Sequence, residues 1–256
     1  MPIDYHIEGK IATITLNRPD AYNAVDVQML KQLREVMLAF RGNEDVWVGI
    51  VTGAGEKAFS AGADIAETLP YMKKIRGKPW ELPDTPLRHM EVYKPLVAAV
   101  NGVALGGGLE IMLICDIRIA AEHARFGSPE VNLGLIPGWG ATQRLTREIP
   151  WAKAAEILLS GKQINAQEAY RIGLVNEVVP RQELMPRARK WAEDLCQAGP
   201  LAVRAAKEAM IRGYSMPLNE GIRLEAALFE YLLGTDDFAE GTAAFTQRRK
   251  PDFKAK

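Results

Sequence analysis

Cysteine and histidine are scarce in this chain: Cys115 and Cys196 are its two thiols, and His6, His89 and His123 its three imidazoles, among 256 residues. The cysteines lie far apart and outside any metal-ligand spacing, which argues against a disulfide framework and a zinc site and fits a reducing compartment. No histidine accompanies a serine or cysteine elbow, so the parts of a triad-type hydrolase are missing. An excess of either charge is absent too, since 32 Lys+Arg face 32 Asp+Glu. A chain without net charge lacks the sequence-independent attraction to phosphate backbones that drives non-specific nucleic-acid binding, and it gives no reason to expect an anionic membrane surface. Long apolar runs are also missing. The longest uncharged stretch, Pro95 to Leu109, is broken by Asn101 and four glycines, and is too short for a membrane span of about 20 residues. Met1-Pro2-Ile3-Asp4 carries no basic n-region or apolar h-region, so the expected location is the cytoplasm. Neither G-x-G-x-x-G nor G-x-x-x-x-G-K-[ST] occurs, which leaves the common nucleotide-binding loops unsupported.

What is present is an α/β pattern. Residues 5–16 read as a hairpin turning at Gly9-Lys10, with Ala12, Ile14 and Leu16 on one face. Met29, Leu30, Leu33, Val36, Met37 and Phe40 recur at helical spacing behind Asp26, a suitable N-cap, and Gly42 ends that helix. Residues 46–52 and 96–100 are continuous apolar runs leading into glycine turns, as parallel strands buried on both faces would be; residues 117–120 suit a third. Beyond Pro150 the pattern turns helical, over 151–159, 166–172, 184–196, 203–212 and 218–233, with one short strand at 174–179. Asn165 and Glu168 have the form of a capping box before the second of these.

Three segments could carry chemistry. Asn101 to Leu113 runs from a strand end through Gly106-Gly107-Gly108 into an apolar helix with Glu110 in its first turn. Glycines let a ligand approach the main chain, and the unpaired N–H groups of a helix start favour a developing oxyanion. A plain strand-to-helix turn fits the same residues. Gly53 to Ile65 follows the other buried-strand candidate, and its small residues Ser60 to Ala63 leave main-chain N–H groups uncovered; a surface loop, with Asp64 starting the next helix, is the alternative. If the two strands are neighbours, each turn can supply one N–H to a single carbonyl oxygen. The third segment, Phe126 to Leu145, sets Glu130 among apolar residues and turn formers, where burial would raise its pKa; a half-exposed carboxylate at a turn is the alternative.

Taken together, Leu16-Asn17-Arg18-Pro19, Ser60-Ala61-Gly62-Ala63-Asp64, the Asn101 to Glu110 segment and Phe126 to Leu145 resemble the enoyl-CoA hydratase/isomerase (crotonase) family, in the right order and from Tyr5 to the Ala244–Arg249 region. The resemblance implies an α/β spiral of repeated ββα units over residues 1–195, followed by a helical oligomerisation segment, 196–256, that assembles trimers and usually hexamers as dimers of trimers. It places oxyanion-hole amides at Ala63 and Gly107, and the paired glutamates of the hydratases at Glu110, which activates water, and Glu130, which protonates carbon. It sets substrate and CoA contacts at Ala21, Ala24, Ala61, Asp64, Ile65, Trp139, Phe245 and Arg248. The implied reaction adds water to a 2-enoyl-CoA to give a 3-hydroxyacyl-CoA, with no cofactor beyond the CoA of the substrate. A Δ3-Δ2 enoyl-CoA isomerase, another CoA-thioester lyase or hydrolase, and an RNA-binding member are the alternatives within the family.

Some positions depart from the family pattern. Asp20 and Ala66 stand where lysines are common, so other cations must meet the CoA phosphates. Arg18 is one candidate, and Arg248 with Phe245 from a neighbouring subunit another. Trp139 stands where a small residue is frequent, either reshaping the acyl pocket or packing the next helix. Leu69 to Val92, with Tyr71, Trp80 and four prolines, is expected to border the acyl site.

Overall fold

The computed structural model describes residues 1–256, the side chain of Pro79 excepted. Strands β1 (Ile3–Glu8) and β2 (Ile11–Leu16) form the hairpin, with Ile3 opposite Leu16. Helix α1 (Val27–Gly42) starts at Asp26, whose carboxylate accepts from the Met29 N–H at 2.6 Å, and buries the six apolar residues of its stripe. There follow β3 (Val48–Gly53), β4 (Ala58–Ser60), α2 (Thr68–Lys74), β5 (Leu96–Val100), β6 (Val103–Leu105), α3 (Gly107–Leu113), β7 (Ile117–Ala121) and β8 (Arg125–Gly127). Helices α4 (Ala141–Glu148) and α5 (Trp151–Ser160), strand β9 (Gln163–Asn165), helix α6 (Ala166–Arg171) and strand β10 (Glu177–Val179) come next. Helices α7 (Leu184–Leu195), α8 (Pro200–Gly213), α9 (Leu218–Leu233) and α10 (Asp236–Thr246) complete the chain.

The strands make two sheets, β1-β2-β3-β5-β7-β10 and β4-β6-β8-β9. Only the β1–β2 and β8–β9 pairs are antiparallel. Three times in succession, at β3–β4, β5–β6 and β7–β8, the chain passes from the large sheet to the small one, so these units stack as turns of a spiral. Strands β3 and β5 are parallel neighbours, which brings their following turns side by side as the apolar runs required. Both faces of the large sheet are covered, which is why its strands read as unbroken apolar runs. Val48, Ile50, Val97, Ala99 and Ile119 pack against Leu184, Ala188 and Ala192 of α7, while Val51, Ala98 and Val100 face the larger core with α1 and α3.

Two buried asparagines hold the corner between sheets. Asn101 accepts from the Gly53 N–H at 3.0 Å and donates to the carbonyls of Gly55 and Ala58 at 2.9 and 3.0 Å. Asn23 donates to Ala54 and Ala58 at 3.0 and 2.8 Å and accepts from the Arg18 N–H. Asn101→Ala removes three bonds at once and strands the Gly53 N–H, while the Ala58 and Gly55 carbonyls keep Asn23 and Arg181 as donors. Each unsatisfied buried group costs about 1–3 kcal/mol, so a clear loss of thermal stability is expected in a melting experiment; an unchanged Tm would show that the corner is held some other way.

The small sheet is where the fold departs from the periodicity. Its three-residue strands at 58–60, 103–105, 125–127 and 163–165 are too short to show an alternation. Asn165 caps α6 by accepting from Glu168 N at 2.8 Å, but the box is not reciprocal, because the Glu168 carboxylate is held by Arg171 and Lys153. Asp64 does not begin a helix; α2 starts at Thr68. In the C-terminal segment, α8 is fastened to the core by the buried Lys207, which donates to the Lys94 carbonyl at 3.0 Å and to Asp116 at 2.7 Å. Helix α9 buries none of its residues. No helix is long and apolar enough to cross a membrane.

Candidate functional site

The site is built where α3 starts against the Ser60–Asp64 turn. Gly106 has φ +53°, and a methyl group on it would lie 2.9 Å from Glu130 Oε1. A methyl on Gly107 would press 2.6 Å from Trp139 Cε3 and lie 3.3 Å from the Ala63 nitrogen, and one on Gly108 would collide with the Ser60 carbonyl. The three glycines thus serve close approach by three different partners. Gly108→Ala must push α3 away from β4; overpacking of this kind costs about 1–3 kcal/mol, and calorimetry should register it as a lowered Tm.

The Ser60–Asp64 turn is tied down on both sides of Ala63. Ala61 N donates to Tyr22 O at 2.9 Å, Val25 N to Gly62 O at 2.7 Å and Asp64 N to Val25 O at 2.9 Å, while Ser60 Oγ donates to Asn23 O at 2.8 Å. Gly62 has φ +96°, and its Cα comes so near α3 that a methyl there would sit 2.9 Å from the Gly107 nitrogen. The N–H groups of Ala63 and Gly107 are therefore neighbours, and neither finds an acceptor among the described residues. Gly107 is buried and Ala63 half-buried; N–H groups withdrawn from water are nearly always paired, so two spare ones side by side describe a receptor for an oxygen atom.

Glu110 projects from the first turn of α3 and is 1% exposed. Its Oε1 accepts from the Trp139 and Ala141 N–H groups at 2.7 and 2.9 Å. Burial pushes its pKa up to about 7, with a further upward push from the Glu130 charge, against the downward pull of those two N–H groups and of Arg144. That places a carboxyl in the range useful for proton transfer near neutrality. The burial expected at Glu130 falls on Glu110 instead: Glu130, on the 3-10 turn Pro129–Leu133, is half-buried. The fully buried Ser128 hydroxyl donates to Glu130 Oε2 at 2.7 Å, which leaves Oε1 over Gly106. Two carboxyls and two free amides thus converge within one turn of helix and its neighbours.

Of the other expected contacts, Ala21 and Ala24 lie on the segment paired with Ala61, Ala63 and Asp64, and Ile65 follows it, largely exposed. Asp64 is occupied by Arg18, with Arg18 Nη1 3.0 Å from Asp64 Oδ2 and Nε 3.2 Å from Asp26 Oδ2. Burial would raise the Asp64 pKa, but the hydrogen bond and charge of Arg18 and the Ala66 N–H hold it below its ordinary value. Arg18 is therefore corrected as a phosphate-binding candidate, because two carboxylates already hold its charge. Trp139 is a core residue, 4% exposed, as the packing reading of it has it, and its ring backs Gly107. Phe245, 87% exposed on α10, and the exposed Arg248 just beyond that helix make no hydrogen bond to the site within one chain. Two residues escaped the sequence reading. Ser128 had no signal beyond its place next to Pro129, and Arg144 reads as an ordinary cation on a short helix.

The family model described as enoyl-CoA hydratase/isomerase matches residues 6–256. The chain is 41% identical over 254 residues to the (E)-benzylidenesuccinyl-CoA hydratase of Thauera aromatica, covering 99% of each. It is 43% identical over 245 residues to the short-chain-enoyl-CoA hydratase of Clostridium acetobutylicum, covering 95% of this chain and 94% of that one. The solved enoyl-CoA hydratase of Bacillus anthracis superposes with a TM-score of 0.94 at 38% identity over the whole of both chains.

Proposed function

Because the chain belongs to the enoyl-CoA hydratase/isomerase family, we infer that it hydrates the α,β double bond of 2-enoyl-CoA thioesters to give 3-hydroxyacyl-CoA. The observation that carries this reading is the pair of carboxyls, Glu110 and Glu130, beside the two unpartnered amides of Ala63 and Gly107. The thioester oxygen accepts from both amides, which draws electrons from the β-carbon. In the reacting state the one proton of the pair lies on Glu130: a water between the carboxyls gives a proton to ionised Glu110, and its oxygen bonds to the β-carbon as the π electrons move onto the thioester oxygen. The amides stabilise this enolate; Glu130 then gives a proton to the α-carbon, and the proton on Glu110 returns to Glu130 through solvent. Incubation with crotonyl-CoA and with branched and cyclic enoyl-CoAs, following loss of the conjugated thioester absorbance, tests the activity. No turnover on any of them contradicts it.

The CoA portion is taken to run past Ala21, Ala24, Ala61 and Ile65, with Phe245 and Arg248 reaching it from a neighbouring copy. Support for such an assembly comes from α9, which shows Leu218 at 78% and Phe229 at 61% exposure with no residue buried. A contiguous apolar face of this kind marks an interface, and a homotrimer or a hexamer of two trimers accounts for it. Light scattering should return a multiple of three chains, and Phe229→Asp should dissociate them; a monomeric wild type would remove this part of the reading.

A further inference from the structure

The turn that holds Glu110 is itself held from behind. Arg144, in α4, donates from Nη1 to the Trp139 carbonyl at 2.8 Å, and from Nη2 to the carbonyls of Pro86 and Leu87 at 3.2 and 3.4 Å. The peptide it grips joins Trp139 to Gly140, and the N–H groups on either side of that peptide, those of Trp139 and Ala141, are the two that bind Glu110. Gly140, at φ +115°, makes room for the guanidinium, since a methyl there would collide with Arg144 Nη1. All the acceptors of Arg144 are neutral carbonyls. The nearest carboxylate along α4, Glu148, is taken by Arg118 at 2.5 Å. A half-buried, permanently charged group with no ion pair among the described residues leaves its field to act on what lies in front of it.

We propose that Arg144 is a positioning residue for Glu110: it clamps the turn that aims two N–H groups at Glu110 Oε1, and its charge favours the ionised carboxylate. This rests on the reading of Glu110 as the base. The charged groups facing Glu110 are few. Strands β4 and β6, which pack against α3, contribute only uncharged residues; the Pro129–Leu133 turn contributes Glu130; and α4 contributes Arg144, Arg147 and Glu148. Arg147 is bound to Gln143, and Glu148 to Arg118. Arg144 is thus the cation that opposes burial at Glu110, and burial of Arg144 is opposed in turn by Glu110 and Glu148. The bonds to Pro86 and Leu87 extend the clamp to the loop after α2, so one side chain ties that loop to the base.

Arg144→Met and Arg144→Gln remove the charge, the second keeping an amide donor for the Trp139 carbonyl should the first fail to fold; Arg144→Lys restores the charge. The readouts are the pH profile of kcat and the titration of the Glu110 carboxyl by difference infrared spectroscopy, its band identified by loss in Glu110→Gln. Without the Arg144 charge, burial acts on Glu110 with less opposition, so the Met and Gln variants should shift both the acid limb and the band upward, while Lys stays near the wild type. A folded Met or Gln variant with wild-type band and acid limb overturns the proposal. A band that moves while the acid limb stays supports Arg144 as the residue that sets Glu110 and contradicts Glu110 as the base, so the two failures are told apart.

Discussion

Glu110→Gln is expected to lower kcat for 2-enoyl-CoA hydration by roughly 10²–10⁴-fold, the usual contribution of a positioned general base, while leaving the fold intact. An amide oxygen can still accept from the Trp139 and Ala141 N–H groups, so geometry is kept and only proton transfer is lost. The wild-type enzyme should lose activity as pH falls through about 7, where Glu110 becomes protonated. Stability runs the other way. A carboxyl whose pKa rises from 4.5 to about 7 on folding holds its proton more tightly in the native state. Its contribution is complete below the unfolded value and is lost as pH climbs through the folded one. Glu110→Gln should therefore melt above the wild type at pH 8, with the difference gone at pH 4. A variant that is less stable at pH 8, or as active as the wild type, would contradict the assignment. The buried carboxyl is in this view a stability cost retained for chemistry.

Replacing the Gly62–Ala63 amide by an ester, which deletes the Ala63 N–H and leaves the Gly62 carbonyl a weaker acceptor for Val25 N, is expected to lower kcat by about 10²–10³-fold, corresponding to about 2.7–4 kcal/mol of barrier. Thermal stability should fall only modestly, because that N–H has no acceptor within the protein and the Val25 N–H keeps the weakened Gly62 carbonyl as its acceptor. The same substitution one residue later removes the Asp64 N–H, which donates to Val25 O at 2.9 Å; there, loss of stability should precede any selective loss of rate. If the Ala63 ester were fully active, the oxygen would be held elsewhere.

Much of this arrangement was legible from residues alone. The hairpin, α1 with its Asp26 cap, the three buried parallel strands and α9 follow from periodicity and turn residues, because each is long enough to show its period or is bounded by a clear stop. The small sheet was not, since a three-residue strand such as Val103–Leu105 carries no alternation, and pairing across the spiral decides its conformation. The glycine turns and both glutamates stood out by composition. Which carboxyl is buried did not: Glu130 sits among apolar neighbours in sequence yet is half-buried, whereas Glu110 is enclosed by Trp139 and Ala141 from 29 and 31 residues away. Arg18 looked free until Asp26 and Asp64 were brought to it. Arg144 acts through carbonyls as distant in sequence as Pro86, a link no local pattern encodes.

The most direct test of the account is mass spectrometry of the products formed from crotonyl-CoA in ¹⁸O-labelled water at pH 8. Two amides and two carboxyls acting as described give 3-hydroxybutyryl-CoA with one ¹⁸O at the 3-hydroxyl and the thioester intact. Unreacted crotonyl-CoA, or ¹⁸O recovered in a free carboxylic acid, would contradict it.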